Sequence, residues 1–267
     1  ARFYDGGTLV SSIADGGATL FKNSVNSAAA FAIQNATGGS LFNVDSSNAN
    51  ISINGLNQGS VQAWQTATGS SYSARSSSGT VAANGYVYSI GGINGASAVT
   101  QTVQYAKVLA NGDLGNWTTN AVNIPAVRTD PSVVYYNGYL YVTGGATTNA
   151  AANAQNTVYY GKVNIDGSVS SWNTGTLSAA VWEHSAQAYN GYLYIIGGQN
   201  TSGTNLTTIS YAKINADGSL GSWSSAGTLS SAAAASTSAI ANGYLYVLGG
   251  RNAGTSTAVT QYGKIAA

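Results

Sequence analysis

The residues best equipped for chemistry stand together at Val181-Trp182-Glu183-His184. Glu183 offers a carboxylate, His184 the chain's single imidazole, and Trp182 an indole face able to stack on a sugar ring. Eleven residues beyond Trp64, Trp117, Trp172 and Trp223 stand Arg75, Arg128, Glu183 and Ala234, so one recurring position carries two guanidiniums, a carboxylate and a methyl group. Ligand sites usually break the symmetry of a repeat. Trp182, Glu183, His184, Arg75 and Arg128 are therefore the candidate ligand-binding set, with stacking and hydroxyl-binding groups suited to a glycan. The competing reading is internal: Glu183 paired with Arg75 or Arg128, and His184 buried and satisfied. Asp130 and Arg251 are isolated charges without an evident partner.

Four lysines recur at one position, Lys107, Lys162, Lys213 and Lys264. On a strand, Lys107 shares a face with Tyr105. Such a ring of ammonium groups would suit an anion. A packing role predicts the same strict recurrence, with each stem laid along apolar surface and each head near Asp113, Asp166 or Asp217. The packing role is the expectation.

Composition removes much else. Charged residues are 6% of 267, with 9 basic against 8 acidic, where soluble domains average ~25%. No basic field exists to neutralise phosphates, which excludes nucleic acid as a partner. With no Cys and one His, thiolate metal sites, disulfides and His clusters are excluded; no metal, cofactor or catalytic residue is expected. No apolar run reaches the ~18 residues of a membrane span. Hydrophobic residues at 44%, with 18 Tyr and 5 Trp, still provide enough apolar surface for a folded core. Small polar residues in place of charges suit a β-rich protein outside the cell or on its surface. A chain beginning Ala1-Arg2-Phe3 reads as a processed, mature form. Asn-x-Ser/Thr triplets at Asn35, Asn50, Asn116, Asn200 and Asn205 are compatible with glycosylation there.

The elements that position these residues repeat. An Asn-Gly-Tyr phrase ending in Gly-Gly starts at Asn84, Asn137, Asn190 and Asn242, a period of 53, 53 and 52 residues. Its glycine pairs are Gly91-Gly92, Gly144-Gly145, Gly197-Gly198 and Gly249-Gly250. A Tyr-x-Lys phrase follows at Tyr105, Tyr160, Tyr211 and Tyr262, and Trp117, Trp172 and Trp223 each stand 12 residues after the first three tyrosines. Asn-Gly favours a two-residue hairpin turn, the alternating Tyr-Leu-Tyr-Val run a strand, and Gly-Gly a close backbone approach. A second turn at Asn111-Gly112, Asp166-Gly167 or Asp217-Gly218 leads to a fourth strand ending at the Trp. A strand quartet every ~50 residues is one propeller blade.

An apolar strand ending in Gly-Gly, then a spaced Tyr, then a Trp resembles the kelch repeat over about residues 60–267. The resemblance implies an all-β, four-bladed kelch-like β-propeller over 59–267, with blades near 65–117, 118–172, 173–223 and 224–267. The fourth unit lacks its Trp, whereas Gly59-Ser60-Val61-Gln62-Ala63-Trp64 matches Gly218-Ser219-Leu220-Gly221-Ser222-Trp223. The strand at 60–64 is thus expected to complete the last blade, joining the N- and C-terminal ends in one sheet. That joining takes place within one chain or, alternatively, with a neighbour's last blade.

Residues 1–58 lack the phrase and the Trp. Short β runs at 18–22, 29–34, 40–44 and 50–53, separated by polar turns, make an N-terminal β arm or small module, or else a divergent fifth blade. The stretch 31–53 resembles short β modules of bacterial and phage surface fibres. Its core is too small to stand alone, so it is expected to pack on the ring or on another subunit.

The family resemblance also bears on catalysis. Copper-radical oxidases on kelch-type rings need a Cys cross-linked to Tyr and a His pair, absent here. Sialidase-type Asp boxes place Trp five residues after Asp, but the spacings are 4, 6 and 6 at Asp113, Asp166 and Asp217. The expectation is a non-enzymatic, self-assembling extracellular protein, a filament or surface subunit whose partners are copies of itself joined through the N-terminal arm; the alternative is a carbohydrate-binding adhesion module.

Overall fold

The computed structural model describes residues 2–5, 8–13, 19–21, 31–34, 40–45, 50–53 and 64–266. The chain divides into Ala1–Thr66 and Ala67–Ala267. In the first unit, β1 (Arg2–Asp5), β2 (Thr8–Ile13) and β3 (Thr19–Phe21) form one antiparallel sheet. The strands β4 (Phe31–Gln34), β5 (Ser40–Asp45) and β6 (Asn50–Ile53) form a second. The expected runs correspond to β3–β6, while β1 and β2 were not anticipated. Among the described residues this unit holds two three-stranded sheets.

The second unit is a four-bladed β-propeller arrangement without α-helix among the described residues. The first blade holds β7 (Arg75–Ser76), β8 (Gly79–Ala83), β9 (Tyr86–Ile90), β10 (Ile93–Asn94), β11 (Val103–Lys107) and β12 (Thr118–Thr119), its main sheet running β8-β9-β11-β12. The second is β13 (Ser132–Tyr136), β14 (Tyr139–Thr143), β15 (Gln155–Lys162) and β16 (Asn173–Val181). The third is β17 (Ser185–Tyr189), β18 (Tyr192–Ile196), β19 (Thr208–Ile214) and β20 (Leu220–Thr228). The fourth has β21 (Thr237–Ala241) and β22 (Tyr244–Leu248), a small hairpin of β23 (Arg251–Asn252) and β24 (Thr255–Ser256), then β25 (Thr260–Lys264).

Local chemistry explains the blades. At each Asn-Gly turn both residues have positive φ, as at Asn84 (51°) and Gly85 (80°), the left-handed pair that matches hairpin twist. The Gly-Gly pairs lie where the chain passes into the next blade: Gly92 N–H donates to Arg128 O at 2.7 Å, Gly145 N–H to Val181 O at 3.0 Å and Gly198 N–H to Ala233 O at 2.7 Å. A Cβ on Gly91 would stand 2.5 Å from Arg128 O, so only glycine admits that approach.

The Trp positions differ from expectation. Trp does not end the fourth strand: β20 runs through Trp223, and β16 begins just after Trp172. The cause is the indole, which faces the preceding blade. Trp223 Nε1 donates to Thr176 O at 2.7 Å and Trp172 Nε1 to Val122 O at 3.2 Å. The strand then continues inward to the next blade, so 173–181 belongs to the second blade and 224–228 to the third.

Apolar cores form between blades. One joins the first and second around Tyr88, Ile90, Val133 and Val142. Another joins the second and third around Tyr141, Val158, Leu193 and Ile195. A third joins the third and fourth around Tyr194, Ile196, Leu245 and Val247. Inner strands pack in the order β8, β13, β17, β21, with no comparable packing of β21 on β8. Among the described residues, no core joins the fourth blade to the first. The expected closing strand falls partly outside the description, since Val61, Gln62 and Ala63 lie beyond it. Trp64 is described; it is 90% exposed and in no strand, and the last main sheet has three strands.

Candidate functional site

The sequence's candidate residues gather where each blade's inner strand begins. Their true equivalence differs from the count of eleven. The carbonyls received by the Gly-Gly pairs belong to Arg128, Val181 and Ala233, so Val181, not Glu183, corresponds to Arg128. Glu183 instead matches Ser77, Asp130 and Ala235, all with φ near 50°. The repeat was misaligned because the third and fourth blades space this segment from the Trp differently.

Arg128 is 1% exposed. Its Nη2 donates to Thr157 Oγ1 and to Tyr159 Oη at 2.7 Å, its Nη1 to Val127 O at 2.7 Å, and its Cζ lies 4.8 Å from the Tyr159 ring centre. No carboxylate pairs with it among the described residues, and its Nε has no partner. Burial lowers its pKa, opposed by Tyr159. Arg75 reaches the corresponding strand positions one blade earlier, through different acceptors. Its Nη1 donates to Gly91 O at 3.2 Å and Thr102 O at 3.3 Å, and its Nη2 to Gln104 Oε1 at 2.7 Å. Arg75 is nevertheless only half-buried, with no blade packed over it among the described residues.

The Trp-Glu-His run is spent inside the protein. Trp182 is 7% exposed, packs with Ala146 and Ala154, and donates from Nε1 to Gln199 Oε1 at 3.1 Å. It does not present its face to a sugar. Glu183 forms an ion pair with Arg251, the charge for which the sequence suggested no partner, rather than with Arg75 or Arg128. His184 is 6% exposed and its Nε2 lies 2.8 Å from Thr143 Oγ1. Thr143 Oγ1 donates its proton to Ser132 O at 3.1 Å, so it accepts from Nε2–H. Nδ1 is left with no proton and no partner, and burial lowers the imidazole pKa to about 4. Asp130 Oδ2 accepts from Thr129 Oγ1 at 2.8 Å. The candidate set therefore does not converge on an open surface.

The repeated lysines point outward and are exposed. Lys107, Lys162, Lys213 and Lys264 form no ion pair with the turn aspartates among the described residues. Those carboxylates brace their own turns. Asp166 Oδ1 accepts from Ser168 N at 3.0 Å and Oγ at 2.7 Å, and Asp217 Oδ1 from Ser219 N at 3.0 Å and Oγ at 2.6 Å. These bonds lower both pKa values. No group of three or more metal-binding side chains occurs among the described residues.

The feature the sequence reading missed is a cleft of about 1040 Å³ beside β25, floored by Tyr194, Tyr211, Leu245 and Val247. At equivalent places Tyr88 Oη donates to Gly167 O at 2.6 Å and Tyr141 Oη to Gly218 O at 2.9 Å. Tyr194 lines the cleft instead, with no such bond among the described residues. Comparing each repeat position's burial, which sequence alone does not supply, is the signal that finds it.

A solved structure titled "Structure of YjhT" shares this fold. The match has a TM-score of 0.55 at 16% identity, and covers 66% of this chain and 59% of that one. The chain thus spans under two thirds of that protein's length, and at this identity the likeness is one of fold. No family model matches the sequence, and no curated protein matches it.

Proposed function

We propose that this chain is a structural protein working outside the cell, a self-assembling surface or filament subunit built on a kelch-like propeller, and not an enzyme. One observation carries this reading: the fourth blade exposes apolar residues at positions the other blades cover. Leu248 is 41% exposed where Ile90 and Ile196 are fully buried, and Tyr262 is 72% exposed where Tyr105, Tyr160 and Tyr211 are partly covered. Bare apolar surface of this kind marks an interaction site. A net charge of +1 sets up little repulsion between copies.

The chemical inventory supports the non-catalytic reading. The buried imidazole, the paired Glu183 and the turn-bracing aspartates leave no acid–base pair facing an open cleft among the described residues. Sedimentation velocity across a wide concentration series, with negative-stain microscopy of the most concentrated samples, tests the proposal. Concentration-dependent growth into oligomers or filaments is expected. A monomer at every concentration would overturn it.

A further inference from the structure

The two ends of the propeller unit are complementary halves of one blade junction. At the fourth blade, β25 has β22 on one side and, among the described residues, no strand on the other. Among the described residues Gly249 has no carbonyl against it closer than its own blade's Thr257 O at 3.5 Å, whereas Gly91, Gly144 and Gly197 each have the carbonyl of the segment leading into the next blade within 2.5 Å of where a Cβ would stand. Gly92, Gly145 and Gly198 each donate N–H to that carbonyl, and Gly250 has no such bond among the described residues. This end has a glycine pair, a strand edge and a tyrosine-floored cleft, all without the neighbour they serve elsewhere.

The first blade has the opposite surplus. Residues 67–73 lie along its outer turn and strand as the inward run after Trp172 or Trp223 does between blades. Thr68 N–H donates to Asp113 Oδ1 at 3.0 Å, Ser70 N–H to Asn116 Oδ1 at 3.1 Å, and Trp117 N–H to Ser70 O at 2.9 Å. The ring of Tyr72 lies 4.6 Å from that of Trp117. The segment runs where the tail of a fourth strand runs at the other junctions, and among the described residues no inner strand pairs with it. Behind it Arg75 occupies the position of Arg128, whose carbonyl meets a glycine pair.

We propose that the fourth blade binds the first blade of a second copy, head to tail. This deepens the self-assembly reading and rests on it. Gly250 N–H takes Arg75 O of the second copy, β25 takes the second copy's 67–73 segment as its fourth strand, and Leu248 and Tyr262 are covered by its first sheet. The second copy is the occupant because the same junction is already built three times within the chain, between successive blades. The interface is heterologous, so copies add in series until they close a ring or extend a filament.

Two blocked variants of the full chain test this. Leu248→Asp with Tyr262→Asp blocks the fourth blade, and Ala67→Pro with Ala74→Asp blocks the first; all four positions are exposed. Circular dichroism and a thermal melt matching wild type establish that each variant folds; a variant that does not is replaced by Tyr262→Asp or Ala74→Asp alone. Sedimentation velocity is expected to show each variant as a monomer, and a mixture of the two as a one-to-one heterodimer that grows no further. Variants that still polymerise overturn this junction while leaving self-assembly through another surface standing. A mixture that stays monomeric, with wild type assembling, overturns the head-to-tail arrangement. Monomeric wild type overturns both this and the self-assembly reading.

Discussion

Acidification should weaken the fold through His184, the chain's single histidine. The ring sits between Thr143 and the glycine pair of the second blade, and a Cβ on Gly144 would stand 2.8 Å from its Cε1. Protonation would place a charged N–H at Nδ1 with no acceptor and no water-facing surface. Burial therefore holds the pKa at about 4, against 6.5 for a free imidazole. The unfolded chain binds this proton more readily than the folded one. The contribution to stability is thus fully present above pH 6.5, and it is lost as pH falls toward 4. That gap, at ~1.36 kcal/mol per pH unit, is worth about 3 kcal/mol. For a domain near 200 residues this amounts to roughly 6–12 °C in Tm. The turn aspartates do not confuse the measurement, because hydrogen bonds hold their pKa values below the usual range and their losses come at lower pH. Urea midpoints at several pH values between 7 and 4.5 should slope for wild type and flatten in His184→Gln, whose amide still reaches Thr143. The one imidazole C2–H signal should titrate well below pH 6 by NMR. A signal titrating near 6.5, or equal slopes in both proteins, would refute the burial argument.

Further outcomes follow from the same contacts. Arg128→Ala should cost about 2–4 kcal/mol in urea unfolding, because it empties a fully buried site. Arg128→Met should cost under ~1 kcal/mol, because the guanidinium has no carboxylate partner and its Nε makes no bond. Gly218→Ala should destabilise more than Gly112→Ala by about 1–3 kcal/mol. Both glycines have positive φ, but only at Gly218 would the new Cβ meet a ring, that of Tyr139, at 2.6 Å. Glu183→Gln should change stability by less than ~1 kcal/mol, and less at high salt, since its partner Arg251 is 38% exposed.

The blades were legible in the sequence because backbone demands leave residue-type marks. A hairpin turn with both φ positive asks for Asn-Gly, and a carbonyl arriving within 2.5 Å asks for glycine. Those marks recur at a fixed period and carry the all-β, bladed reading. The strand at Trp172 and at Trp223 runs on beyond the Trp through 173–181 and 224–228, where Gly175 and Gly227 mark no end and only the pairing with β15 and β19 shows the extent. The candidate site was less legible. Trp182, Glu183 and His184 look like binding groups by type, but type does not report burial. Trp182 and His184 fill space between the second and third blades, and Glu183 answers Arg251. A count along the chain could not reveal that, because the third and fourth blades shift their register relative to the Trp.

The edge of β25, which no further strand covers among the described residues, bears on why assembly is the better reading of the bare fourth blade than simple exposure. Proteins that keep a strand edge open to water guard it with inward charges, proline or a bulge. The strand Thr260–Lys264 has one charge, Lys264, and its pairing with β22 is regular throughout. That lysine is no edge guard, since Lys107, Lys162 and Lys213 hold the same place on β11, β15 and β19, each of which has a fourth strand beside it. Tyr262 and Leu248 keep their types while facing solvent, and the polar change on the strand is Thr260, which stands where the other blades have Val103, Val158 and Ile209. The fourth blade is written in the sequence as an interior blade. An interior blade at a surface is either a hazard or a joint, and the unspent fourth-strand segment on the first blade supplies what a joint of this shape requires.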